Sequence, residues 1–234
     1  MPLLNDADAV YLGASKADRV YLGATLVWGA QPRTDHLLHF DGADGSTAFI
    51  DESGMVWTGT GSVQLDIAQK KFGSASLECP SSGGVFSPVD GVNFGAGQDF
   101  TLECFFNSNS SASRVLLSVV GDGITWTFFR RSNNILSVYN GEDGTLTTAG
   151  LNISNGTWHH AAFCREGSIL RVFLNGQLSA TITNSRALPE FARVGIASSG
   201  YTSQDFGGYM DEVRITPHEA LYTSDFTPPE APFA

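Results

Sequence analysis

Between Thr157 and Ile215 the chain carries three short apolar runs in fixed order, each ended by turn residues. They are Trp158-His159-His160-Ala161-Ala162-Phe163, Arg171-Val172-Phe173-Leu174-Asn175-Gly176 and Gly208-Tyr209-Met210-Asp211-Glu212-Val213-Arg214-Ile215. Each is the length of a strand. Asn175-Gly176 is a strong hairpin signal, because both central positions of the preferred two-residue turn need positive φ. Residues 99–106 read Asp-Phe-Thr-Leu-Glu-Cys-Phe-Phe, in which Phe100, Leu102, Cys104 and Phe106 alternate with Thr101, Glu103 and Phe105. A period of two predicts a strand with one strongly apolar face. Further strands are predicted over Val115–Val120, Thr125–Arg130, Ile135–Tyr139 and Val194–Ile196, separated by Gly- and Asn-rich turns. The nearest approach to a helical pattern is His218–Thr223, about one turn. These runs predict an all-β chain of two packed sheets.

The 234 residues suit one such sandwich with a full core. The 26 glycines, set among Asn, Ser and Thr, fit many strands joined by tight turns. A formal charge of −11 argues against nucleic acid and anionic membrane as partners. Cys79, Cys104 and Cys164 are odd in number, lie in apolar runs and show no metal-binding spacing, which predicts buried free thiols. No apolar run approaches the ~20 residues that span a bilayer, and the N-terminus shows no secretion signal.

Residues 9–14 read AVYLGA and residues 19–24 read RVYLGA, a ten-residue repeat. Each Val-Tyr-Leu block predicts a short strand. Together the blocks predict a small β-meander over 1–30 that cannot bury a face alone and must pack on something. Gln31-Pro32-Arg33-Thr34-Asp35 reads as a linker into the main domain, 31–234. The closing segment, Phe226-Thr227-Pro228-Pro229-Glu230-Ala231-Pro232-Phe233, is kept extended by its prolines and predicts a strap laid over the sandwich.

Six phrases in order resemble the laminin-G-like jelly roll, a concanavalin A-like β-sandwich. They are the strand ending at Phe40-Asp41-Gly42, Asp51-Glu52-Ser53-Gly54, Lys71–Leu77, Asp99–Phe106, and the runs from Trp158 and from Gly208. The Tyr-Leu-Gly repeats and the C-terminal segment are similar to parts of phage tail and fibre proteins. The resemblance implies an all-β, two-sheet antiparallel jelly roll behind a small meander. It implies a virion structural protein of tail fibre, tail tip or head fibre that adheres to a host surface glycan. Other virion proteins and copies of itself, a trimer above all, are the further partners implied. A purely structural virion protein and a secreted cellular lectin are the competing readings. In the family Trp158 packs in the core. A structural Ca2+ often sits where first and last strands meet, which would make Asp211, Asp41 and Asp51 its ligands.

Catalysis is not expected. Glycosidases need paired carboxylates about 5–9.5 Å apart, which on one strand means acidic residues at i and i+2 or i+4. Glu103 stands alone, and the alternation rule sends the adjacent Asp211 and Glu212 to opposite faces. Sugars are held by aromatic faces and planar polar groups. The candidate aromatics are Trp57, Trp126, Tyr139, Tyr201 and Tyr209. Of the faces of the Trp126–Arg131 strand, one must be core and the other carries an arginine beside aromatics. The favoured site combines the polar loop around Tyr201 and Gln204 with Tyr139, Asn133, Asn134 and Arg131.

Overall fold

The computed structural model describes residues 35–95, 99–140, 152–183, 186–200 and 204–233, with the backbone of short strands within 11–29 and over 145–147. The chain divides into two compact units, Met1–Arg33 and Thr34–Ala234. In the first, β1 (Tyr11–Leu12) pairs with β2 (Ser15–Lys16) and β3 (Arg19–Leu22) with β4 (Thr25–Gly29). Two separate hairpins thus stand where one meander was expected, and Ser15–Lys16 forms a strand of the first.

The second unit is an antiparallel sandwich. Its strands are β5 (His36–Leu38), β6 (Phe49–Ile50), β7 (Val56–Gly59), β8 (Gln64–Asp66), β9 (Ser76–Pro80), β10 (Val85–Phe86) and β11 (Val92–Asn93). There follow β12 (Phe100–Ser108), β13 (Arg114–Gly121), β14 (Ile124–Arg130), β15 (Leu136–Tyr139) and β16 (Thr145–Thr147). Last come β17 (Trp158–Glu166), β18 (Ile169–Leu174), β19 (Gln177–Thr183), β20 (Phe191–Ile196) and β21 (Gly207–Pro217). One sheet runs β19-β18-β17-β12-β21-β9-β8, with β5 also on β21. The other runs β16-β15-β14-β13-β20-β10-β7-β6, with β11 on β20. The first strand of the domain lies antiparallel to the last, with Leu38 opposite Val213, as the family resemblance implies. The segment His218–Thr223, the nearest approach to a helical pattern, is irregular, and His218 takes φ +67°.

The alternation read in the sequence sets the core. Phe100, Leu102, Cys104 and Phe106 of β12 point inward with Ala161 and Phe163 of β17 and Met210, Val213 and Ile215 of β21. From the other sheet come Leu117, Val119, Trp126, Phe128, Val138, Val194 and Ile196. Phe128 and Phe163 meet across the sheets with ring centroids 4.7 Å apart. Each such side chain, once buried, stabilises by about 1.5–3 kcal/mol. All three cysteines are buried and free.

Two expectations fail at the level of single strands. Trp158 is half-buried and packs beside Leu37, Phe105 and Phe233 on the outside of its sheet, not in the core. The inward parity of β17 belongs to Ala161 and Phe163, so Trp158 shares the outward parity of His160 and Ala162. Asp211 and Glu212 do not point to opposite faces. Both lie between the inward Met210 and Val213, Glu212 takes φ +49°, and the pairing with β12 shifts register here. This is a β-bulge, which puts two consecutive side chains on one side.

The outer face of the β12–β17–β18–β21 sheet is covered by the chain's own C-terminal segment, residues 218–233. Tyr222 and Phe226 stack on each other 3.6 Å apart and cover Ala162, Cys164 and Phe173. Phe233 buries against Leu37 and Phe105. The strap is also tied by backbone groups. Leu221 N–H donates to Thr101 Oγ1, Phe226 N–H to the Gly176 carbonyl and Phe233 N–H to Glu212 Oε2. Gly176 therefore serves twice. With Asn175 it supplies the positive φ of the hairpin turn, and any Cβ there would collide with the Phe226 carbonyl.

Candidate functional site

Under the strap Glu103 is fully buried and accepts three hydrogen bonds, with a further ion-pair contact to Arg214. Arg214 Nε reaches Oε1 at 2.8 Å and Arg214 Nη2 at 2.6 Å, while His160 Nε2 and Tyr222 Oη reach Oε2 at 3.0 and 3.1 Å. Burial works against ionisation, but His160 and Arg214 more than offset it and hold the carboxyl below its ordinary range. Burial, reinforced by the Glu103 charge, pushes the Tyr222 phenol up. The network fastens the strap to the sheet.

Among the described residues the strap's contacts are all with the first sheet, which leaves the face of β10, β20, β13, β14 and β15 open to other segments; its outward Phe86, Ser118, Thr127 and Phe129 are buried. Because Trp126 and Phe128 are core, Thr127 and Phe129 face outward, and by the same parity so do Ser118, Gly195 and Tyr139. Pairing registers place Tyr139, Thr127, Ser118, Gly195 and Phe86 in one row across five strands. The row has aromatic rings at its ends and small residues between them. At about 4.8 Å per strand, Tyr139 and Phe86 stand roughly 19 Å apart. A Cβ at Gly195 would meet the Ser198 carbonyl and Ser118 Oγ, so glycine there lets Ser198 close against the middle of the row.

Above this floor the rim is aromatic and basic. Arg131 lies 4.0 Å over the Phe129 ring and Arg193 lies 4.2 Å over Phe86. Arg131 Nε also donates to Ser137 Oγ at 2.7 Å. Tyr139 is 37 % exposed and Phe191 45 %. Flat aromatic and guanidinium surfaces beside hydroxyls match what a sugar's C–H face and hydroxyl edge require.

A profile described as the concanavalin A-like lectin/glucanases superfamily matches residues 81–221. The chain belongs to this superfamily. No curated protein matches it by sequence. Among solved structures it is similar to domain 4 of AbnA, a GH43 extracellular arabinanase from Geobacillus stearothermophilus, in complex with arabinotriose. The identity is 17%, the match covers 80% of this chain and 93% of that one, and the TM-score is 0.64. It is also similar to part of Trypanosoma rangeli sialidase in complex with 2,3-difluorosialic acid, at 14% identity over 80% of this chain and 31% of that one, with a TM-score of 0.58. At such identities the likeness is one of fold.

Within this lectin/glucanase sandwich the residues singled out in the sequence scatter. Arg131 and Tyr139 share the open face. Asn133 is exposed in the β14–β15 turn. Asn134 has φ +56° and accepts from the buried Arg130 at 3.1 Å, so it shapes the turn. Gln204 is half-buried where the 197–206 loop returns to β21, and Tyr201 lies outside the described residues. Ser118 Oγ donates to the Ser198 carbonyl, which roots that loop on the floor of the row. Trp57 and Trp126 are buried, Trp57 donating to Asp51, and Tyr209 is half-buried on the strapped sheet, so none of the three offers a face to this site. Phe86 and Arg193 escaped the sequence reading. The alternation of Ala192, Val194 and Ile196 already marks Arg193 as outward, but only the sheet order brings it beside Phe86.

Among the described residues no three His, Cys, Asp or Glu side chains converge as a metal group. The three aspartates expected to share Ca2+ each bind N–H or O–H donors. Asp51 takes Ser53, Met55, Trp57 and His36. Burial would raise its carboxyl, but these bonds outweigh burial and hold it at about 2. Asp41 takes Ser74 and Ala75. Asp211 takes the N–H groups of Lys71, Phe72 and Glu212, yet burial pushes it up to about 7, with Glu212 adding repulsion. Calcium requires oxygen ligands that face it. These donor sets anchor turns.

Proposed function

We propose that this chain is a virion structural and adhesion protein of a phage whose lectin-like sandwich binds host surface glycans on the open sheet, without catalysis. One observation carries the glycan reading. The strapped face is occupied by the chain's own C-terminal segment, while the other face presents an exposed Tyr139 and two half-buried arginines stacked on rings. The complex of the similarly folded arabinanase domain with arabinotriose supports it as analogy.

Tyr139→Ala tests it. The ring contributes through stacking and is exposed, so the variant is expected to melt within about 2 °C of wild type, as surface changes do. On a glycan array its binding is expected to fall about tenfold, the equivalent of one good stacking contact. Unchanged binding would move the site off this face.

The virion role rests on the Tyr-Leu-Gly repeats and on the C-terminal segment that resembles endings of phage proteins. In this reading residues 1–30 hold a homo-oligomer, a trimer for preference, or dock on another virion protein. Light scattering is expected to report an oligomer for the whole chain and a monomer for residues 34–234. A monomeric whole chain, or an oligomer that survives the deletion, would refute self-assembly through the repeats.

A further inference from the structure

We infer that the ligand of the open face is an acidic glycan, an oligosaccharide whose repeating units carry oxyanions. This rests on the glycan reading of that face. The chain holds 24 acidic and 13 Lys or Arg residues, yet the acids are unevenly placed. Every acidic residue within a sandwich strand belongs to the strapped sheet: Asp66, Glu78, Glu103, Glu166, Asp211 and Glu212. The strands of the open sheet, β6, β7, β10, β11, β13–β16 and β20, contain no Asp or Glu. They contain Arg114, Arg130 and Arg193, and Arg131 follows directly on β14.

On the strapped sheet two arginines pair with carboxylates. Arg214 holds Glu103 at 2.6 Å and Arg171 holds Glu166 at 3.1 Å. Among the described residues Arg131 and Arg193 have no such partner. Each instead lies flat on a phenylalanine ring. Stacking fixes the plane of the guanidinium while leaving N–H edges for a ligand. A planar fork held in this way matches a carboxylate or sulfate bidentately, and its ordering entropy is spent before binding. In an acidic chain, a sheet whose strands hold no acid and which carries two ring-stacked arginines with no carboxylate partner among the described residues complements a negative ligand. It also excludes general attraction to polyanions, because the rest of the surface repels them.

Spacing defines the size of the ligand. Arg193 pairs opposite Val120, which pairs opposite Thr125, and Arg131 lies six residues along from Thr125. Along-strand rise and two strand spacings set the arginines on the order of 20 Å apart. No monosaccharide spans that distance, so both are used only by an oligomer with anionic groups several units apart.

Titration calorimetry on the full chain tests this with an oligogalacturonate, a sulfated oligosaccharide and a neutral arabino-oligosaccharide, against wild type, Arg131→Gln, Arg193→Gln and the double variant. One or both anionic probes are expected to bind and the neutral one to bind at least about tenfold more weakly. The two anionic arms decide between carboxylate and sulfate. Each single variant is expected to weaken anionic binding about five- to tenfold and the double variant more, with melting unchanged. Neutral and acidic probes bound alike, or anionic binding that neither substitution alters, would overturn the acidic ligand and leave the glycan face standing. If no probe binds and a broad glycan array is also blank, the glycan reading falls, and the acidic ligand with it.

Discussion

A Glu103→Ala variant is expected to lose about 3–5 kcal/mol of stability, the usual cost of removing one partner from a buried ionic group. Arg214, His160 and Tyr222 converge on this carboxylate, and the methyl group would remove the acceptor of three hydrogen bonds and leave the arginine's charge uncompensated. For a domain of this size the melting midpoint is expected to fall by roughly 10 °C or more. Glu103→Gln is expected to recover little, because its amide N–H2 group would face donors. The same carboxylate gives the fold an acid limit. Its folded pKa is depressed below 4.5, so the stability it contributes is present above that value and is lost as pH falls through the folded pKa. Asp51, held at about 2 against 3.8, adds to the loss over the same acidic range. Chemical denaturation at pH 7 and pH 3 checks both points. A Glu103→Ala midpoint equal to wild type would show that the network is not under the strap in solution.

Removing residues 219–234 is expected to be more damaging still. Tyr222, Phe226 and Phe233 would leave together, and the sheet face they cover would be opened at Leu37, Phe105, Ala162 and Phe173. Partial burial of three aromatic side chains stabilises by several kcal/mol at about 1.5–3 kcal/mol for each fully buried ring. That is on the order of a whole domain's net stability of about 5–15 kcal/mol. The truncated chain is expected to melt at least roughly 10 °C lower and to associate through the exposed patch. Differential scanning calorimetry with light scattering reads both. A monodisperse truncated protein with the wild-type midpoint would reduce the strap to a passive tail.

Much of the sandwich was legible because strands with one buried face write their parity into the chain. Phe100–Phe106 and Thr125–Arg130 reveal both their existence and their core side. The prolines marked the strap as extended. What it covers was not legible, since Glu103 looks solitary until β17 and β21 bring His160 and Arg214 beside it. The bulge at Asp211-Glu212 broke an argument based on strict alternation, and nothing in that dipeptide announces a bulge. Trp158 was misplaced although the parity of its own strand, set by Phe163, assigns it outward. The open face was half legible. Arg131 and Tyr139 belong to neighbouring strands of one hairpin, which sequence adjacency reveals. Phe86 and Arg193 join them only through the order β13-β20-β10, in which the neighbours lie about a hundred residues apart along the chain.

The position of β21 also governs when the domain can form. This final strand sits between β12 and β9 and carries β5, the first strand of the domain, on its edge. During synthesis the nascent chain therefore leaves β5 without its described partner and one edge of β12 unpaired until β21, the last strand of the sandwich, has emerged. Contacts spanning such long stretches of sequence make folding slow, and exposed strand edges invite pairing between neighbouring chains. Its production is accordingly expected to be limited by this late closure more than by the strength of the finished core.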